Sequence, residues 1–304
     1  MSRFRHLISI EDLSKEDILY ILEKAEELEP YARSKKKSRT LENKLLANLF
    51  FEPSTRTRMS FEAAMKVLGG EVINMTAHEA SSVAKGESLA DTLKTVSKYA
   101  NVIVLRHPLE GTGRFAIENS EVPLINAGDG AGQHPTQTLL DLYTLKKESS
   151  LDGLKIALMG DLKYSRTVHS LIKALTLFNT EIHLISPESL KLPDELLEGL
   201  KGNINFSTYE EVIEEIDVLY MTRIQKERFP DEEEYRRVAG SYKIDVKSLE
   251  KVKDNMIVMH PLPRIDEIHS SVDKTPHARY FQQAFYGVPV RMAILTEMVG
   301  GANE

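Results

Sequence analysis

The sequence predicts an α/β fold class: two doubly wound parallel-sheet domains joined by interdomain helices. Short apolar and β-branched runs alternate with amphipathic helical segments in two successive series along the chain. This alternation is typical of parallel α/β sheets. A polar, Gly-rich segment at 126–133 separates the two series. With 304 residues, the chain is long enough for two domains of ordinary size.

The first series begins with a helix that Ser14 caps. Asp17, three residues on, completes the capping pattern, and Pro30 is expected to end the helix. Two further helices and four strands follow. The helices are predicted at 59–68 and 88–100, and the strands at 45–51, 72–75, 102–105 and 122–126.

The second series follows a helix predicted at 135–147. We place the domain boundary at the Gly-rich segment, so that the first domain comprises residues 1–133 and the second residues 134–284. A C-terminal helix within 285–304 is expected to pack back on the first domain. The strands of the second domain are predicted at 155–159, 182–185, 218–221 and 256–259.

Composition limits the function classes. The chain has 41% hydrophobic and 28% charged residues, and no cysteine, which excludes disulfides, thiolate metal sites and a cysteine nucleophile. A net charge of −7 argues against a nucleic-acid partner. No apolar run is long enough for a membrane span, and the N-terminus shows no secretory pattern. We therefore expect a cytoplasmic protein with no membrane partner.

The segment Ser54-Thr55-Arg56-Thr57-Arg58 stands where a predicted strand turns into a helix. Backbone N–H groups and the positive end of the helix dipole favour an anion at such a place. Arginine adds a planar fork that holds two phosphate oxygens. The alternative interpretation is that the hydroxyls only cap the helix. Two cations in the first turn favour anion binding, because they oppose the dipole unless something negative offsets them.

Other polar groups follow the remaining strands of the first series. Ser81 to Ser88 is a small, polar segment carrying Lys85, as a binding loop would be. Arg106 follows a strand, and ligands of open α/β sheets gather at strand carboxyl ends. His134 and Gln137 are three residues apart, so both can face one site from a first helical turn.

The second series carries a different set of groups. Arg166 and Arg223 follow predicted strands, and Gln225 can point the same way as Arg223 in extended chain. The prolines of His260-Pro261-Leu262-Pro263-Arg264 remove N–H donors and leave carbonyls that suit an amine. The first set suits a phosphate next to a carbonyl, and the second suits an amine that bears carboxylates. An enzyme joining an acyl phosphate to an amine would need both.

These motifs together resemble the transcarbamoylase family. Ser54-Thr55-Arg56-Thr57-Arg58 and His134-Pro135-Thr136-Gln137 carry the resemblance to the family as a whole. Four further segments resemble its aspartate-using branch, and the motifs occur in family order over essentially the whole chain. The four further segments are Lys85-Gly86-Glu87, Gly160-Asp161-Leu162 with Arg166, residues 223–229, and His260-Pro261-Leu262-Pro263-Arg264.

The resemblance implies transfer of the carbamoyl group of carbamoyl phosphate to L-aspartate, an early step of pyrimidine biosynthesis. It implies no cofactor and no metal. Carried over by motif, the catalytic residues are Arg56, Thr57, Lys85, Arg106 and His134. The residues implied to bind carbamoyl phosphate are Ser54, Thr55, Arg56, Thr57, Ser81, Lys85, Arg106, His134 and Gln137. Those implied to bind aspartate are Lys85, Arg166, Arg223, Gln225, Pro261 and Leu262.

The resemblance also implies an assembly. Family members are homotrimers whose active sites lie between domains and between neighbouring subunits, and Ser81 and Lys85 would enter the site of the adjacent subunit. Whether a separate regulatory chain binds stays open. The loop 110–114 is one candidate docking surface for it.

The residues leave two alternative functions open. The ornithine-using branch has a cysteine in its last motif, whereas the chain has His260-Pro261-Leu262-Pro263 there and no cysteine anywhere. Arg166 and Arg223 also suit a diacid better than a cationic amino acid. The other alternative is a non-catalytic module that binds an acyl phosphate. Such a module would not need polar groups in both halves of the chain.

Overall fold

The computed structural model describes residues 3–34, 36–76, 86–224, 229, 231–238 and 240–300. The chain divides into two compact units: unit 1 is Met1–Leu140 with Phe285–Glu304, and unit 2 is Asp141–Ala284. Each unit contains one parallel β-sheet, so the predicted α/β fold class is confirmed. Within the described ranges, no helix combines the length and apolar character that crossing a bilayer requires.

Unit 1 has a four-stranded sheet in the order β2-β1-β3-β4. The strand order reverses between β1 and β3, because the chain moves outward in one direction to β2 and in the other to β4. Such a reversal opens a crevice at the carboxyl ends of the two strands. The strands are β1 (Leu45–Phe50), β2 (Glu71–Thr76), β3 (Val102–His107) and β4 (Leu124–Asp129).

Helices cover the sheet of unit 1, and apolar strand residues such as Leu49, Ile103 and Leu105 are buried with Leu93 in its core. Ser14 caps the first helix as predicted: its Oγ accepts the N–H of Asp17 at 3.1 Å. The helices are α1 (Lys15–Ser34), α2 (Thr55–Val67), α3 (Leu89–Val96) and α4 (Thr112–Asn119).

The prediction that Pro30 ends the first helix is wrong, since α1 continues to Ser34. A proline in a helix interior removes one backbone hydrogen bond. Local contacts offset this loss: the guanidinium of Arg33 lies 2.5 Å from the carboxylate of Glu29, and the Ser34 hydroxyl donates to the Pro30 carbonyl at 2.8 Å. Ala32 is also buried, so the last turn has a packing surface of its own.

Unit 2 has a five-stranded sheet in the order β7-β6-β5-β8-β9, which reverses between β5 and β8. Four of its strands match the predicted ones. The fifth, β7, was missed, because its Asn-Ile-Asn-Phe sequence is short and largely exposed at the sheet edge. The strands are β5 (Leu154–Met159), β6 (Thr180–Ile185), β7 (Asn203–Phe206), β8 (Val218–Met221) and β9 (Ile257–Met259).

Among the described residues, the helices wholly within unit 2 are shorter, and only the first of them exceeds two turns. They are α6 (Arg166–Leu175), α7 (Asp194–Leu197), α8 (Tyr209–Val212) and α9 (Glu232–Val238). Short 3-10 turns also occur at Glu188–Leu190, Lys247–Leu249 and Ser270–Lys274.

Two long helices contain the points where the units divide. Helix α5 is Pro135–Glu148 and helix α10 is Tyr280–Val299, whereas the divisions fall after Leu140 and after Ala284. The first division therefore lies seven residues beyond the predicted boundary at 133, inside a helix and not in the Gly-rich segment. The second follows residue 284, and the last part of α10 belongs to unit 1. The assignment of each domain to one substrate stays a prediction.

Candidate active site

Three strand ends come together in unit 1. Phe50 at the end of β1 pairs with Arg106 on β3, and His107 at the end of β3 pairs with Asp129 on β4. The segment 51–57 follows β1 directly, and His134 follows β4 by a short loop. The strand order thus gathers three predicted groups at one edge of the sheet, at its switch point.

The start of α2 has the features of an anion site. Ser54 is the N-cap residue, but its side chain makes no capping hydrogen bond, and the first turn holds no acidic residue. Capping therefore does not account for the Ser54 hydroxyl. Thr57 is buried and Arg56 is exposed. Arg58 has a carboxylate partner in Glu62, 3.7 Å away.

Arg106 is a buried cation beside the start of α2. Its side chain is 9% exposed and contacts the Glu52 carboxylate at 3.0 Å. The other guanidinium nitrogen donates to the Ala127 carbonyl at 3.0 Å. Both contacts hold the guanidinium at the end of β3, because they come from β4 and from the segment after β1. Sequence reasoning missed Glu52, although a lone acidic residue just before a cluster of arginines was an available signal.

His134 and Gln137 lie at the beginning of α5, and both are buried. Their spacing places them in one helical turn, since the Gln137 N–H donates to the His134 carbonyl at 3.0 Å.

The predicted break at 126–133 begins later than expected. β4 continues to Asp129, because the Asn126 amide donates to the Ile8 carbonyl at 3.0 Å and its oxygen accepts the Gly128 N–H at 2.8 Å.

In unit 2, the predicted groups also follow the strands at the switch point. Arg166 is the first residue of α6, after β5, and Arg223 follows β8 by two residues. The two strands approach closely at their ends. A Cβ on Gly160 (φ 121°) would lie 2.3 Å from the Thr222 carbonyl oxygen, so only glycine fits at the end of β5 beside Thr222.

Arg223 lines a pocket of about 30 Å³ within unit 2. Glu267 and Asp266 line the same pocket. The acidic residues Asp266 and Glu267 after β9 therefore lie beside the predicted carboxylate-binding arginine, which the sequence alone did not indicate.

The segment after β9 has an unusual backbone. Leu262 has φ 55°, a left-handed conformation that costs a non-glycine residue about 1–3 kcal/mol. Pro261 and Leu262 are both half-buried. Arg264 leaves this segment and is held by Asp273, whose carboxylate lies 2.6 Å from one guanidinium nitrogen. That hydrogen bond lowers the pKa of Asp273.

Three predicted site residues, Ser81, Lys85 and Gln225, lie outside the described residues. Among the residues that are described, no three His, Asp or Glu side chains come together as a metal site would require.

Two known family models match successive parts of the chain. The family model described as "Aspartate/ornithine carbamoyltransferase, carbamoyl-P binding domain" matches residues 5–147. The model described as "Aspartate/ornithine carbamoyltransferase, Asp/Orn binding domain" matches residues 152–298.

Individual relatives match along nearly their whole length. The aspartate carbamoyltransferase catalytic subunit of Archaeoglobus fulgidus is 72% identical, and the match covers 97% of this chain and 99% of the relative. The catalytic subunit of M. jannaschii aspartate transcarbamoylase has a TM-score of 0.91 at 55% identity, covering 99% of this chain and 100% of that one. Trypanosoma cruzi aspartate transcarbamoylase in complex with carbamoyl phosphate and aspartate has a TM-score of 0.92 at 42% identity, covering 97% of both chains. The chain therefore belongs to the aspartate/ornithine carbamoyltransferase family.

Proposed function

We propose that this chain transfers the carbamoyl group of carbamoyl phosphate to the α-amine of L-aspartate, giving N-carbamoyl-L-aspartate and phosphate. The reaction is an early step of pyrimidine biosynthesis. One observation carries the proposal: the switch point of each sheet holds its own set of cationic side chains, Arg56 and Arg106 in unit 1, Arg166 and Arg223 in unit 2. The names of the relatives, and the complex of one of them with both substrates, support it.

Unit 1 is proposed to bind carbamoyl phosphate. Ser54, Thr55 and Arg56 would hold the phosphate at the start of α2, where Ser54 has no capping role and the helix dipole favours an anion. Arg106 and His134 would reach the carbamoyl group from the ends of β3 and β4. The other residues proposed for this substrate are Thr57, Gln137, Ser81 and Lys85.

The chemistry requires no protein nucleophile. The aspartate amine attacks the carbonyl carbon, the C=O bond becomes a C–O⁻, and the tetrahedral intermediate expels phosphate as the bond from carbon to the phosphate oxygen breaks. The proton lost by the amine passes to the leaving phosphate. Arg56, Thr57, Arg106 and His134 would donate hydrogen bonds to the carbonyl oxygen as it becomes anionic. Positioning and charge stabilisation then supply the rate.

Unit 2 is proposed to bind aspartate. Arg166 and Arg223 would pair with the two carboxylates, because a guanidinium holds a carboxylate through two parallel hydrogen bonds. The Leu262 carbonyl would accept a hydrogen bond from the amine, beside Pro261, which has no N–H to compete. Lys85 and Gln225 are the remaining groups proposed for this substrate.

A colorimetric assay for carbamoyl amino acids tests the reaction directly. We expect product from carbamoyl phosphate with aspartate and none with ornithine. Product with ornithine would favour the other branch of the family. Binding of carbamoyl phosphate with no product from either amine would indicate a non-catalytic module.

Replacing Arg223 by alanine is expected to raise the KM for aspartate by about tenfold to a hundredfold, the range of a lost charge-assisted hydrogen bond. The KM for carbamoyl phosphate is expected to change by less than about threefold, since that substrate is assigned to other residues. Steady-state kinetics with each substrate varied in turn measures both. An equal rise in both constants would contradict the assignment of Arg223 to aspartate.

We further propose a homotrimer in the cytoplasm. The trimer is the assembly that the family resemblance implies, and Ser81 and Lys85 would then serve a neighbouring subunit. Size-exclusion chromatography with light scattering is expected to give three times the chain mass of 34.4 kDa. A single chain mass with full activity would contradict shared sites. The term "catalytic subunit" in the names of relatives supports a separate regulatory chain, which would appear as added mass on mixing.

A further inference from the structure

The Leu262 backbone has an unfavourable conformation that neighbouring residues must stabilise. Its φ of 55° is in the region that glycine usually occupies, and leucine stays there only when its surroundings hold it. The proposed function assigns the carbonyl of this residue to the amine of the substrate. Whatever holds Leu262 therefore determines where that carbonyl points.

The His260 ring contacts Leu262 directly. Its Nδ1 lies 2.8 Å from the Leu262 backbone nitrogen, and its Nε2 lies 2.7 Å from Oε1 of Glu267. Because Leu262 can only donate through its N–H, Nδ1 must be the acceptor. The ring proton is then on Nε2, where it is donated to the Glu267 carboxylate.

Glu267 holds the other end of the same segment. Its second carboxylate oxygen, Oε2, accepts the N–H groups of Ile265 and Asp266, each at 3.1 Å. Its own carbonyl accepts the N–H of Ile244 at 2.8 Å. One carboxylate thus joins the ring that holds Leu262 to the residues that follow Arg264.

Burial and charge agree with this hydrogen-bond pattern. His260 is 1% exposed, and burial lowers its pKa although the Glu267 hydrogen bond opposes the shift, so the ring is neutral. Burial, the largest single influence, raises the pKa of Glu267, but the interaction with His260 and the backbone hydrogen bonds together outweigh it, and the net pKa is lowered. A neutral ring beside a carboxylate keeps an acceptor available for the Leu262 N–H.

The position of His260 does not depend on its ring. Its backbone N–H donates to Oε1 of Gln283 at 2.9 Å. The Gln283 amide in turn donates to Asp141 at 2.7 Å, and Tyr220 donates to the same carboxylate at 2.8 Å. All four residues are buried. A change confined to the ring or to Glu267 therefore leaves the end of β9 anchored.

We propose that His260 and Glu267 are positioning residues, which fix the Leu262 backbone so that its carbonyl meets the amine of the amino-acid substrate. This role rests on the proposed function. Neither residue need touch the substrate. Glu267 determines which nitrogen of the His260 ring carries the proton, and the other ring nitrogen holds the Leu262 N–H and so fixes the Leu262 backbone.

Replacing Glu267 by glutamine tests the tautomer step. The amide oxygen can still accept the two N–H groups of Ile265 and Asp266. The NH₂ group of the glutamine then donates to Nε2 of His260, so Nε2 must be the acceptor. The ring proton moves to Nδ1, where it faces the Leu262 N–H and removes the acceptor of that hydrogen bond. We expect the KM for aspartate to rise about tenfold or more, and the KM for carbamoyl phosphate to change by less than about twofold.

Succinate provides the readout that separates positioning from general support of the site. It has the two carboxylates of aspartate but no amine. In Glu267→Gln, its inhibition constant is expected to stay within about twofold of wild type, because only the contact to the amine is lost. An equal loss for succinate and aspartate, or an unchanged KM for aspartate, would overturn the proposal.

Two histidine variants provide a matched pair. In His260→Asn, the amide oxygen occupies the place of Nδ1 and can still accept the Leu262 N–H. In His260→Gln, the longer side chain reaches Glu267 but offers no acceptor at that place. We expect His260→Gln to raise the KM for aspartate more than His260→Asn does, and the reverse order would overturn the proposal. If Glu267→Gln does not fold, the two His260 variants still test whether the ring positions Leu262.

The wild-type assay separates the two levels of inference. If wild-type protein forms no carbamoyl aspartate, the proposed function fails and the positioning role fails with it. If wild type is active and the variants keep its KM for aspartate, only the positioning role is wrong.

Discussion

Arg56→Ala is expected to lower turnover about a hundredfold or more, equivalent to the 2.7–4 kcal/mol that one oxyanion donor typically contributes. Arg56 is in the first turn of α2, and that turn contains no acidic residue. In the proposed reaction it binds the phosphate and also donates to the carbonyl oxygen as negative charge develops there. Such a donor acts most strongly in the transition state, so kcat should fall and not only the affinity for carbamoyl phosphate. Steady-state kinetics at saturating substrates measures this effect.

Arg58 offers a matched control for this variant. It is also an arginine of the first turns of α2, but its guanidinium lies 3.7 Å from Glu62, which Lys66 also contacts at 2.8 Å. Arg58→Ala is expected to keep turnover within about fivefold of wild type, because an ion pair of this kind contributes little. Equal losses in the two variants would mean that helix α2, and not the Arg56 guanidinium, is responsible. Near-normal turnover of Arg56→Ala would contradict the oxyanion role.

Arg106→Met is the second change with a large expected effect, again about a hundredfold or more in turnover if Arg106 stabilises the same oxyanion. It should also lower the free energy of unfolding by about 1–3 kcal/mol, because the Glu52 carboxylate and the Ala127 carbonyl would lose a buried donor. Urea denaturation followed by circular dichroism measures the second effect. The two losses arise from different contacts and are therefore separable.

The double variant Glu52→Gln/Arg106→Met separates the loss of turnover from the loss of stability. Removing the Glu52 charge is expected to restore part of the lost stability, since no uncompensated carboxylate remains. Turnover is expected to stay low, because the donor to the substrate is still absent. Recovery of turnover in the double variant would mean that Arg106 acts only by neutralising Glu52, and its proposed contact with the substrate would be wrong.

Prediction from the sequence succeeded where the signal is local. The strands β1, β5 and β8 are predominantly apolar runs whose residues are almost all buried, so their type and place could be predicted. The Ser14 cap and the helix α5 also follow from residues a few positions apart. Pro30 shows the limit of such reasoning, since the propensity of one residue predicted a helix end that contacts of the last turn overrode. β7 was missed because the alternation of Asn-Ile-Asn-Phe extends over only four residues, none of which is buried.

The candidate site could be predicted as residues but not as an arrangement. Ser54, Arg56, Arg106 and His134 were identified from their places after strands, and their roles remain predictions. Their partners were not identified. Glu52 is 54 positions from Arg106 in the chain, and the link between His260 and Glu267 depends on which nitrogen of a ring faces which backbone group. No spacing rule predicts contacts of this kind.

By itself, the sequence determined the two series of strands and helices, the cationic motifs that follow them, and the family that they resemble. These depend on periodicity and on short motifs, which are properties of neighbouring residues. The tertiary structure alone decided the strand orders β2-β1-β3-β4 and β7-β6-β5-β8-β9, and with them which motifs meet at each switch point. It also decided that Ser54 does not cap α2 and that Glu267 reaches His260. The physical reason is that strand pairing and buried hydrogen bonds join residues far apart in the chain, and burial sets their strength.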